Sequence, residues 1–348
     1  MQQQLLLWAG LESNYHKWLL DWTKWRVFLC AAMVIFYMFL AFLLLWKYEW
    51  SAAGSGGSRN DGGSGSGGDS KTWMPCVKEV SPICLMAFRM VSFSLLAATL
   101  TCHVVVYGGT LFYYYTQWTF TLVTIYFGFG SVLSIQGCWQ RKKSMERVSD
   151  DDRWTDEIQG LEDTLLAGTG HCRGVKALDY HTTLEFYQQE RSVGFFAYVF
   201  QLLFQMAGGA VVLTDFVYWF IIFPKLDDYY DFTFMTLVAH SLNLLLLVDA
   251  SLNCLELPWF GIAYFIFWTG AYVLSQWIVH ACESIWWPYP FLDLSSTNAP
   301  LWYLVVALMH IPCYGSVVLL VELKKLALSK CQLTYHLVSS DDEIITSC

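Results

Sequence analysis

Hydrophobic residues in this chain come in long unbroken runs rather than in the 3.6-residue stripes or strict alternation of a soluble fold. The runs cover Val27 to Trp46, then roughly 84–108, 113–138, 194–223, 231–257, 258–280 and 301–323. Each reaches or exceeds the ~20 apolar residues that let an α-helix cross a bilayer. The pattern predicts an all-α, polytopic helical membrane protein with about seven transmembrane helices, a six-helix core preceded by an N-terminal span. A membrane β-barrel would instead show short alternating segments, and none occur.

The breaks between runs divide the chain. Residues 1–50 hold the first span and, before it, Trp18, Trp22 and Trp25 on one helical face among Lys17, Lys24 and Arg26. That grouping predicts a helix lying in the membrane interface. Residues 51–83 form a linker whose SAAGSGGSRNDGGSGSGGDS stretch carries nothing to bury. A six-span membrane domain is expected over 84–325, with its largest polar loop at 139–193, and a polar tail follows over 326–348. The run SDDDRWTDEIQGLEDT within that loop reads as solvated.

Charge sets an expected orientation. The 139–193 loop carries eight Lys and Arg, Lys324 and Lys325 end the last span, and the 281–299 connection has no basic residue. The positive-inside rule places the loop and the C-terminus in the cytoplasm; the membrane expected is that of the endoplasmic reticulum or the plasma membrane. A glycosylation acceptor placed near Ser295 should therefore be modified in cells, whereas modification near Gly168 would reverse the orientation. The WWPYPFL motif at 286–292 should cap the outer end of the bundle at headgroup depth, because Trp and Tyr favour that level and two prolines stop a helix.

Composition narrows the partners. The chain is 56% hydrophobic and only 14% charged, with a net charge of −9, so nucleic acid is not an expected partner. Its eleven scattered cysteines predict neither a disulfide framework nor a zinc site, and no cofactor is expected. Oligomeric state is not legible.

The run from Asp231 to Leu257 stands out because it carries His240, Asn243, Asp249 and Asn253 where a plain anchor would carry Leu. Polar groups at membrane depth are costly and mark a site or a packed network. On one helix the 240/243/247 face lies nearly opposite the 249/253/256 face, which predicts a central helix shielded from lipid on both. Thr116 and His240 both fall in the outer half of their spans, at roughly 5 and 13 Å by helical rise. A hydroxyl and an imidazole there make a nucleophile and base pair, set against the plainer reading of both as packing groups. Asn243 shares the His240 face and is a candidate to orient the ring or polarise a carbonyl. Asp249 should pair with Asn253 or another span. Asp215 reads either as a proton relay or as an acid at a span end. His103, His280 and His310 share no spacing that suggests a metal.

Four motifs in order resemble a known family: Tyr115-Thr116-Gln117-Trp118, TDFVYWFIIFP at 214–224, MTLVAHSLN at 235–243 and WWPYPFL at 286–292. They resemble the androgen-induced and androgen-dependent transmembrane hydrolases and their rolling-stone-like relatives, most of all the multispanning plant members, over about 84–325. The resemblance implies a threonine hydrolase that cleaves fatty acid esters of hydroxy fatty acids, with Thr116 and His240 in the catalytic positions and a membrane lipid or acyl ester as partner. Gln117-Trp118-Thr119 departs from the family pattern after the threonine, so Thr119, Thr121 and Thr124 remain alternatives. The rolling-stone branch implies instead a fusion or differentiation factor. A non-catalytic receptor, transporter or adhesion protein is the second expectation.

Overall fold

The computed structural model describes residues 24–50, 72–77, 79–165, 180–225, 234–283 and 286–346. The interfacial helix expected before Lys24 and the Gly/Ser stretch lie outside the described residues. The helices are α1 (Trp25–Leu45), α2 (Pro82–Tyr107), α3 (Tyr115–Leu165), α4 (Tyr180–Phe216), α5 (Phe234–Asn243), α6 (Leu245–Leu252), α7 (Ile262–Glu283) and α8 (Ala299–Thr346). Among the described residues, six helical segments are long and apolar enough to cross a membrane: Trp25–Glu49, Pro82–Tyr113, Tyr115–Lys143, Gly194–Ile222, Trp259–Glu283 and Ala299–Lys330. The chain is an all-α, multi-pass integral membrane protein. The loop and tail also carry regular backbone, since α3 continues to Leu165, α4 begins at Tyr180 and α8 runs to Thr346.

Local chemistry fixes the boundaries. Ser81 caps α2 by accepting the Cys84 N–H at 3.2 Å, and Pro82 sits at the first helical position. Gly108 ends α2 at φ +66°, a conformation that disfavours any Cβ. The chain then makes a 3-10 turn over Gly108–Tyr113 and re-enters as α3.

The stretch expected as the central helix differs from that expectation. Its apolar helix spans Leu237–Leu252, about 24 Å by rise, and a turn at Leu244 divides it into α5 and α6. Asn253 stops it: the residue turns extended, its side-chain Nδ2 donates back to Asp249 Oδ2, and its side-chain Oδ1 accepts the Leu255 N–H. His240, Asn243, Asp249 and Asn253 are all buried, as the two polar faces require, yet Leu244 and Val248 are exposed between them. The centre of the bundle is instead α3 packed on α4. In their spans 61% of the most apolar window is buried, against 17% for α1. Tyr126 stacks on Phe200 and Phe129 meets Phe196, an antiparallel pairing.

Two glycines set how closely α4 meets its neighbours. A Cβ at Gly209 would run into the buried Phe265 ring of α7, and one at Gly208 would touch Val317 of α8. Small residues permit such helix approach in membranes. Gly209→Val should destabilise the fold by about 1–3 kcal/mol through overpacking, read as a lower melting temperature of the purified protein. A wild-type melting temperature would mean that this contact yields without strain.

The first span is not held by its linker alone. Ala41 packs with Ala263 and Ile266 of α7, Tyr37 donates to the Ala307 carbonyl of α8 at 2.6 Å, and Arg26 reaches the Ser295 carbonyl at 3.2 Å. Arg26 and Ser295 therefore mark one end of the bundle. The opposite end is tied by a buried ion pair. Arg89 of α2 bonds both oxygens of Asp249, at 2.8 and 3.2 Å, and donates to Thr72 O and Ser134 Oγ. Asp249 also accepts from Tyr126 and Asn253, while Lys324 donates to the Ala250 and Asn253 carbonyls. Asp249 thus pairs with Asn253 and with a second span.

One feature contradicts the cysteine reading. Cys76 and Cys254 form a disulfide, with Cα atoms 4.9 Å apart, beside a backbone bridge between Pro75 and Asn253. Their separation of 178 residues gave no spacing to recognise.

Candidate functional site

Near the Ser295 end, α4 and α5 face each other across two ionisable side chains. The His240 Nδ1 and Asp215 Oδ1 are 3.1 Å apart, with His240 3% and Asp215 9% exposed. An ionised carboxylate only accepts, so Nδ1 carries the hydrogen and Nε2 presents the lone pair. This is the geometry of a general base held by an acid. Tyr218, one turn past Asp215, lies flat on the imidazole at 3.7 Å and 11°. Here α4 passes into a π-helical turn over Val217–Ile222, a winding often found where helices carry function. The ring is thus fixed by a bond at one edge and a stacked face.

Asn243, one turn along α5 from His240, is fully buried and lies beside the same carboxylate. Neither its amide nitrogen nor its oxygen closes a hydrogen bond, and Asp215 Oδ2 has no partner either. Unpaired buried polar atoms are rare and costly. Three of them beside one imidazole mark a place suited to a polar reactant.

Thr116 is half-buried in the first turn of α3. It lies beside the hydroxyl of Tyr289, from the 286–292 motif, and burial pushes the pKa of that phenol upward. The motif packs on the start of α3, with Trp286 against Tyr114. The structure brings His240 together with Asp215 and Asn243, but no hydrogen bond joins Thr116 to His240. The two are nevertheless level. Thr214 donates to Thr119 at 3.1 Å, which registers α3 against α4. On that antiparallel register, positions 215–218, which hold the imidazole, lie opposite 118–115. The intervening distance is lateral, not axial.

The other threonines are accounted for differently. Thr119 is fully buried in its bond to Thr214, and Thr124 donates to its own helix at Phe120 O. Thr121 Oγ1 is buried without a partner. His103 meets Gln117, and His280 stacks on Trp287. Among the described residues no three His, Cys, Asp or Glu side chains gather as metal ligands.

The Asp215 pairing was the part of the site that sequence reasoning missed. The signal was present: Asp215 lies nine residues before Pro224 and His240 nine after Asp231. Equal distances from a shared turn place two side chains at one depth in an antiparallel hairpin.

No family model, no curated protein and no solved structure matches this chain.

Proposed function

We propose that this integral membrane protein is a lipid ester hydrolase, with Thr116 as nucleophile and His240 as its base, acting on fatty acid esters of hydroxy fatty acids. The observation that carries the reading is the buried His240–Asp215 pair, which leaves Nε2 as a fixed acceptor at the depth of Thr116. In the first step Nε2 takes the Thr116 hydroxyl proton while Oγ adds to the acyl carbonyl, and Asp215 stabilises the imidazolium. The tetrahedral adduct then expels the alkoxide, which His240 protonates. Water repeats the sequence on the acyl-enzyme, releasing a carboxylic acid and restoring Thr116. Asn243 Nδ2, an unpaired donor, is placed to meet negative charge on the carbonyl oxygen. Closing the lateral gap requires Thr116 to leave Tyr289, a side-chain rotation that an entering acyl group would accompany.

A second reading rests on that same gap. If Thr116 stays with Tyr289, the protein is a non-catalytic membrane protein, a receptor, transporter or adhesion or fusion factor. Release of labelled fatty acid from such an ester by the purified protein in nanodiscs separates the two. No release above a protein-free control overturns the hydrolase.

The charge asymmetry already described favours the site toward the lumenal or extracellular face and the Lys324 end toward the cytoplasm. The Cys76–Cys254 disulfide at the Lys324 end, a bond kept by oxidising compartments, argues the other way.

A further inference from the structure

A cleft separates α1 from α7 and α8, on the side of the bundle away from α5. Met33, Tyr37 and Met38 form one wall, Thr269 and Gly270 another, and His310 lies at its deeper end. Phe291 and Leu292 close the end toward Ser295. The free volume is about 60 Å³, room for a segment of a chain rather than a whole lipid. Tyr303 and His310 are seven residues apart on α8, so the cleft runs about 10 Å along the helix axis.

His310 is the polar feature that an apolar cleft does not explain. It is 3% exposed, and its Nδ1 lies 2.8 Å from the Val306 carbonyl of its own helix. A carbonyl only accepts, so Nδ1 donates, and in the neutral ring Nε2 is left as a lone-pair acceptor. That nitrogen is buried without a partner. The ring is clamped between Tyr37 and Phe265. Tyr37 is not its partner, since its hydroxyl is committed to the Ala307 carbonyl. An oriented acceptor in apolar surroundings selects a hydrogen-bond donor.

Depth restricts which donor. His310 lies eleven residues into α8, about 16 Å from its start, close to the middle of a ~30 Å hydrocarbon layer. Headgroups and sterol hydroxyls stay at the interface. We infer that this cleft binds a membrane lipid that carries a hydroxyl at bilayer depth, received by His310 Nε2. A long-chain secondary alcohol meets both demands, since its hydroxyl sits on a chain no wider than the cleft admits. The site is separate from the His240–Asp215 pair, and the inference holds whether or not the protein is a hydrolase.

The test uses the full chain in nanodiscs with an alkyl-diazirine probe bearing a mid-chain hydroxyl. Crosslinks should map to Met33–Met38 or Tyr303–His310. The secondary alcohol is competed against the alkane of equal length, which lacks the donor. The alcohol should displace the probe at about five-fold lower mole fraction than the alkane, the scale of one neutral hydrogen bond. His310→Phe keeps the ring and removes the acceptor, so it should erase the preference. Equal competition by alcohol and alkane in the wild type, crosslinks confined to other helices, or a preference that survives His310→Phe would each overturn the inference. The wild-type competition decides by itself if the variant does not fold.

Discussion

Asp249→Leu should be the most damaging single substitution in the described bundle, costing about 3–5 kcal/mol of stability. Asp249 is fully buried and accepts from Arg89 twice, from Tyr126 and from Asn253. Leu would leave the Arg89 guanidinium, itself fully buried, with only Thr72 O and Ser134 Oγ. An unpaired charge at such a position costs far more than the pair gains over an apolar substitute. The double variant Arg89→Met/Asp249→Leu should therefore recover most of the loss, leaving a residue from the Tyr126 and Asn253 groups that lose their acceptor. Unfolding of the purified variants by heat or by increasing denaturing detergent measures both. A single variant within about 0.5 kcal/mol of wild type would show that the pair is dispensable. A double variant as weak as the singles would show that shape, not charge, dominates.

The second large effect concerns turnover. His240→Ala should reduce ester hydrolysis by a factor on the order of 10³–10⁴, because a threonine hydroxyl without a base is a poor nucleophile. Asp215→Asn should also reduce it steeply, though folding is kept, since an amide fits the same space but its NH2 can donate to Nδ1 and favour the wrong tautomer, and it carries no charge to stabilise the imidazolium. Tyr218→Leu, which removes only the stacked face, should act mildly. Equal, small losses in all three would indicate that the cluster supports packing and not chemistry.

The architecture was legible because bilayer-length apolar runs leave few alternatives. Expected span limits such as 194–223 and 84–108 agree with Gly194–Ile222 and α2 at Pro82–Tyr107. The stretch at 231–257 was misjudged for a physical reason. Its hydropathy matches a full span, but whether a helix continues past Leu252 depends on Asn253 bonding back to Asp249 and on Cys76 lying against Cys254, the latter a contact made across 178 residues. Burial of the polar faces was legible in the helical repeat, while the exposed Leu244–Val248 stripe depended on which helices pack alongside. Within the site, His240 and Asn243 were visible as misplaced polar residues. The role of Asp215 was not, because Asp at a span end has an ordinary explanation until its register with His240 is known. The closeness of Thr116 to Tyr289 joins segments more than 170 residues apart, and no local pattern encodes it.

Hydrolysis by Thr116 is the central claim, and one comparison tests it most directly. Wild type and Thr116→Ala are purified, matched for folding by melting temperature, and placed in nanodiscs with a labelled fatty acid ester of a hydroxy fatty acid. The account predicts steady release of the labelled acid by wild type and a rate at the protein-free background for Thr116→Ala. Release by Thr116→Ala at the wild-type rate, or no release by either protein, would contradict it.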